Sequence, residues 1–103
     1  MTVSLCFAPG AEDDLAAIFT WYEAQRQGLG ARFLDAEATL FERMRESPKL
    51  FPEVVVGFRR ALLRNFPFGV YFSLEPTRVV GHAVLHLYRD PAVWRRRLSG
   101  NAG

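Results

Sequence analysis

Val70-Tyr71-Phe72-Ser73-Leu74-Glu75-Pro76-Thr77-Arg78-Val79-Val80-Gly81-His82-Ala83-Val84-Leu85-His86-Leu87-Tyr88 is the stretch that decides the fold. Val70, Phe72 and Leu74 alternate with Tyr71, Ser73 and Glu75, the period-2 pattern of a strand with one face buried. Glu75-Pro76-Thr77-Arg78 carries turn residues. Residues 79–88 form the longest apolar run of the chain, suited to a central strand. Simple alternation there predicts Val79, Ala83, Leu85 and Leu87 on one face, and Val80, His82, Val84, His86 and Tyr88 on the other. This is a β-hairpin, and its buried faces need cover.

Working outward, Phe58-Arg59-Arg60-Ala61-Leu62-Leu63-Arg64 reads as a third strand, and Asn65-Phe66-Pro67 as the turn or bulge that follows it. At the other end of the chain Val3, Leu5 and Phe7 alternate with Thr2, Ser4 and Cys6, a short strand closed by Pro9-Gly10. The cover comes from between. Leu15, Ile18, Phe19 and Tyr22 recur at helical spacing, with Trp21 widening the stripe, after the acidic first turn Glu12-Asp13-Asp14. Gly28-Leu29-Gly30 breaks that helix. A second runs through Phe33, Leu34, Leu40, Phe41 and Met44 to Ser47-Pro48. So short a connection folds the two helices antiparallel. Asp90-Pro91 starts a last short helix, with Asp90 as its candidate cap, and Ser99-Gly100-Asn101-Ala102-Gly103 is a frayed tail. The expectation is one α+β domain over residues 1–103: an N-terminal strand, an antiparallel helical hairpin on a mainly antiparallel sheet of about four strands, and a short C-terminal helix.

Half of the 103 residues are hydrophobic and nine are phenylalanine, enough for a core without staples. Cys6 is the single cysteine, has no bridge partner, and reads as a packed thiol in a reducing compartment. No leader and no span of roughly 20 apolar residues is visible, so a soluble, cytoplasmic protein with no membrane partner is expected. The net charge of +2 is uneven. Residues 1–53 carry five basic and nine acidic side chains; residues 54–103 carry eight basic, all arginine, and two acidic. Such asymmetry suits an anionic partner, nucleic acid or an acidic polypeptide.

Several motifs, in order along the chain, resemble the RelE/ParE family of type II toxin–antitoxin toxins. In the first half they are Pro9-x-Ala11-Glu12-x-Asp14-Leu15, Trp21-Tyr22-x-x-Gln25 and Gly28-Leu29-Gly30-x-x-Phe33-Leu34. In the second half they are Pro48-x-x-Phe51-Pro52, Arg59-Arg60, Phe66-Pro67-Phe68 and His86-x-x-Arg89-Asp90-Pro91-x-x-Trp94-x-x-Arg97. The first half in particular is similar to the ParE branch. The resemblance implies a compact α+β fold and a cognate antitoxin with an acidic, partly disordered segment that wraps the toxin. It implies one of two targets, DNA gyrase or ribosome-bound mRNA, and a homodimer or toxin–antitoxin hetero-oligomer is compatible with it. No cofactor is implied.

For RNA cleavage the residues to weigh are Arg60, His86, Arg89 and either Tyr71 or Tyr88. Cleavage needs a base, an acid and cations for the phosphorane charge, and histidine titrates near 6.5. His82 and His86, four residues apart on a strand, are separated by roughly 13 Å and make no metal site unaided. The structural alternatives are a core His86, and an Arg89 paired to Asp90 or to the hairpin. Some relatives that cleave mRNA carry a functional tyrosine or histidine in the C-terminal segment, where this chain has Trp94, and lysines, which residues 54–103 lack. The ParE-like branch resembles gyrase poisons, which act by binding. For that role Trp94, Arg95 and Arg97 are the first candidates, since aromatic and arginine side chains anchor interfaces. Trp94 as core and Arg95-Arg96-Arg97 as a solvated helix end are the plain alternatives.

Overall fold

Packing of two helices and a third against opposite faces of one sheet organises the chain. The computed structural model describes residues 3–89 and 91–102; Asp90, expected as a helix cap and a partner of Arg89, lies outside them. The elements are β1 (Ser4–Phe7), α1 (Pro9–Gln25), α2 (Leu29–Glu46), a 3-10 turn (Pro48–Leu50), β2 (Glu53–Val55), β3 (Phe58–Leu62), β4 (Phe68–Leu74), β5 (Arg78–His86) and α3 (Pro91–Ala102). The sheet has five strands in the order β1-β5-β4-β3-β2. β1 runs parallel to β5 and every other pairing is antiparallel. The expected α+β architecture holds, with one strand more. The three-residue β2 is too short to leave a periodic signal.

α1 begins at Pro9, whose fixed φ suits the first helical position, so the helix opens before the acidic triplet. Only Gly28 breaks the hairpin: its φ of 92° is left-handed. Gly30 lies inside α2, where a Cβ would meet the Phe19 ring at 2.7 Å and Glu23 Oε1 at 2.9 Å. Glu23 accepts hydrogen bonds from Gly28 N at 3.1 Å and Gly30 N at 3.0 Å, and so satisfies donors at the start of α2 that no capping side chain reaches.

Between the helical hairpin and the sheet lies the main core, with Phe33, Met44, Val70, Phe72 and Val79 almost fully buried. Each such side chain contributes about 1.5–3 kcal/mol of transfer free energy. Tyr22 and Phe33 stack at 5.8 Å, and Phe66 and Phe68 meet them edge-on. A smaller core on the opposite face joins Tyr71, Ala83 and Leu85 to Trp94 and Leu98 of α3. Two members of the expected stripes stay outside: Trp21 and Leu34 are exposed.

The faces of β5 differ from simple alternation. Tyr71 pairs with Ala83 but Phe72 with Gly81, which leaves His82 as an extra residue. Such a bulge reverses the parity of the strand. Val79 therefore shares the hairpin face with Val84, while Ala83 and Leu85 face α3. α3 also runs further than expected, through Ala102, in place of the frayed tail.

Candidate functional site

Where β5 ends, three residues of interest leave the sheet together. Arg89 N donates to His86 O at 3.1 Å, a turn that carries Tyr88 into solvent at 87% exposure. Tyr88 N donates to His86 Nδ1 at 3.2 Å, which places the ring proton on Nε2 in this arrangement. The imidazole packs edge-on to Phe68 at 5.2 Å and tilted to Tyr88 at 5.2 Å. Across from it, Trp21 on α1 is 58% exposed. Between them lies a groove of about 730 Å³, floored by Ala17, Ile18 and Phe68. It continues past Arg89 into a second hollow of about 420 Å³, lined also by Arg96 and Arg97 of α3. The result is an aromatic, apolar groove with cations at one end.

Arg60 is not part of it. In antiparallel sheets directly opposed residues share a face. Arg60 opposes Tyr71, which opposes Ala83, all on the α3 side. The stem of Arg60 lies over Gly69, where a Cβ would meet it at 3.1 Å. His86 opposes Phe68 on the hairpin side. The structure thus brings together His86, Tyr88 and Arg89, and puts Arg60 and the buried Tyr71 behind the sheet. His82 is also separated from His86. It faces Phe58, 5.2 Å away edge-on, and shares a 2.8 Å hydrogen bond with Ser73 on the α3 side. Burial holds its pKa below the usual histidine range, opposed by the charge of Glu75.

The α3 candidates divide by burial. Trp94 is 7% exposed and stacks on Tyr71 at 5.5 Å and 24°, so its ring fastens α3 to the sheet. Arg95 lies against the same ring, 5.3 Å from its centroid, and is exposed. Arg97 is committed inward: its guanidinium donates to Asp14 Oδ2 at 2.8 Å. Exposed Arg95 and Arg96 are what the segment offers to a partner.

Sequence reasoning missed Asp14, placing it among acidic residues of a helix start. Its Oδ2 also accepts the Val84 N–H at 2.9 Å. β1 ends at Phe7, opposite Gly81, so no strand among the described residues satisfies that donor further along β5. A signal existed: Asp14 falls between buried Ala11 and Ile18 at helical spacing, on the inward stripe. Arg59 likewise holds the turn before β2, donating to Phe51 O at 2.7 Å.

Neither a family model nor a curated protein matches the chain in sequence. Among solved structures it is similar to a chain of the chromosomal ParDE TA system from P. aeruginosa, with a TM-score of 0.73 and 18% identity. The similarity covers 84% of this chain and 97% of that chain. No helix among the described residues is long and apolar enough to cross a membrane. With its helical hairpin, mixed sheet and C-terminal helix, the chain shares the fold of that chain of a ParDE TA system, in keeping with the fold its motifs led one to expect.

Proposed function

We propose that this chain is the toxin of a type II toxin–antitoxin pair, neutralised by an acidic, partly disordered antitoxin, and that it acts by binding DNA gyrase rather than by cutting RNA. The fold shared with a chain of a ParDE TA system supports the first part. The observation that carries the second is the separation of Arg60 and Tyr71 from His86 by the thickness of the sheet. General acid–base cleavage needs its proton carriers and its phosphate cations within hydrogen-bond reach of one substrate. Binding needs only a surface, and the exposed arginines of α3 provide one.

A second reading has its own observation. His86, Tyr88 and Arg89 adjoin one groove, a set compatible with ribosome-dependent mRNA cleavage that draws its remaining groups from the ribosome. Expression of the chain without its antitoxin distinguishes the two, with DNA supercoiling and translation followed in the same cells. Gyrase binding gives early loss of supercoiling or cut DNA with translation intact. Early translation arrest with cut message overturns it in favour of the second reading. Normal growth leaves an antitoxin-binding module without toxicity.

A further inference from the structure

β1 is an outer strand of the sheet, paired with β5 alone. Along a parallel strand, successive residues turn their N–H and C=O alternately towards the neighbour and away from it. Ala8 N donates to Gly81 O at 2.8 Å, so Ser4, Cys6 and Ala8 turn towards β5. Val3 N points the other way and donates to Arg45 O at 3.1 Å, at the end of α2. Leu5 and Phe7 share that outward direction, and no group among the described residues meets their N–H or C=O. α2 packs on the face of this strand, with Phe41 4.9 Å from the Phe7 ring.

Sheet edges are ordinarily guarded by charge, proline or a bulge. Val3-Ser4-Leu5-Cys6-Phe7-Ala8 carries no charge and no proline, and its register on β5 is unbroken from Ser4 to Phe7. The two arginines beside the strand are neutralised within the chain, Arg78 by Glu75 at 2.7 Å and Arg45 by Glu42. Nothing on the strand selects an acidic or a basic partner, and no like charge keeps two copies apart.

We propose that β1 pairs antiparallel with β1 of a second copy, about a two-fold axis at Cys6, joining two five-stranded sheets into one. Leu5 of each copy then exchanges both main-chain hydrogen bonds with Phe7 of the other. This is the one two-fold register that uses both free residues. An axis at Leu5 would set Phe7 against Val3, whose N–H is taken, and an axis at Phe7 would set Leu5 against Pro9, which has none. With the axis at Cys6, Cys6 faces its own counterpart and Ser4 faces Ala8, in non-hydrogen-bonded pairs with Cα atoms about 4.5 Å apart. A disulfide accepts roughly 4.4–6.8 Å. So short a strand makes a weak, reversible dimer. The inference stands apart from the toxin–antitoxin reading and needs no antitoxin.

The test uses the purified full chain. Sedimentation of the reduced protein is expected to show mass rising with concentration towards the dimer. Diamide, which takes two protons and two electrons from two thiols to leave one disulfide, is expected to trap that dimer through Cys6. The register is read in a Cys6→Ser background. Ser4→Cys and Ala8→Cys chains should cross-link about tenfold faster when mixed than either does alone, because position 4 faces position 8 and not itself. Leu5→Pro, which deletes an outward N–H, should shift sedimentation to the monomer. The cysteine pair decides the matter even if Leu5→Pro does not fold. A chain that sediments as a monomer at every concentration overturns the pairing, and so do cysteine variants that cross-link no better mixed than alone. Amide exchange protection of Leu5 and Phe7 that is absent from the concentrated chain, and appears only with the protein encoded beside it, overturns it in favour of that partner.

Discussion

Asp14 and Arg97, 83 residues apart in sequence, meet at 2.8 Å and tie the first helix to the last across the edge of β5. The same Asp14 oxygen holds the Val84 N–H. One carboxylate thus serves three elements, at the place where the parallel strand β1 stops short. The pair also fixes the hollow next to the candidate groove, because both residues line it.

Asp14→Ala removes the ion pair and orphans a backbone donor together. We expect a loss of about 2–3 kcal/mol in urea unfolding, the range for breaking a part-buried charged hydrogen bond and stranding its partner. Arg97→Ala leaves the Val84 bond in place and should cost about 1 kcal/mol. Equal losses for the two variants would mean that the backbone bond contributes nothing.

Glu37, half-buried on α2, has its pKa pushed up to about 7 by burial, and its Oε2 has no hydrogen-bond partner. The folded chain therefore holds a proton there that the unfolded chain, with an ordinary value of 4.5, releases. The associated stability is complete below about pH 4.5 and is lost as pH rises towards 7. Glu37→Gln should raise the melting temperature at pH 8 and change it little at pH 4. Solvent screening of a half-exposed group holds the gain to on the order of 1 kcal/mol. A variant whose advantage does not depend on pH would refute this origin.

Trp94 is predicted to matter for the fold before it matters for any target. Trp94→Ala should cost about 3–5 kcal/mol and increase hydrogen exchange along α3 first, since its ring and Leu98 are what the helix packs with. Trp94→Phe retains a ring on Tyr71 and should keep most of that protection. Native stability in the alanine variant would free the tryptophan for a direct role in binding.

The elements were legible in the sequence because their periodicities are strong: the hairpin of β4 and β5, both helices of the αα unit, and the break at Gly28 each follow from local chemistry. What was not legible depends on register. The extra residue at His82 leaves no mark on an apolar run that reads as strand either way, yet it moves His82 and His86 to opposite faces. β2 needed β3 as a template, and three residues carry no period. Of the candidate site, His86, Tyr88 and Arg89 were found together because they are close in sequence. Arg60 was grouped with them by type, and strand pairing alone separates it. Asp14 was assigned to the helix dipole because its partners, Val84 and Arg97, lie at the far end of the chain.

The separation of Arg60 from His86 gives the sharpest functional prediction. If the chain acts by binding gyrase, no single proton carrier is required. His86→Ala should then leave the growth arrest of antitoxin-free cells within about twofold, provided that Phe68 and Tyr88 close over the vacated space. Charge reversal at the two exposed α3 cations, Arg95→Glu with Arg96→Glu, should abolish the arrest and the loss of supercoiling while stability falls by only about 1 kcal/mol, most of it from the Arg95 contact with the Trp94 ring. Antitoxin affinity, measured in parallel, separates loss of the target from loss of the fold. Arrest that vanishes with His86→Ala and persists with the arginine reversals would reject the α3 surface and direct attention to the groove.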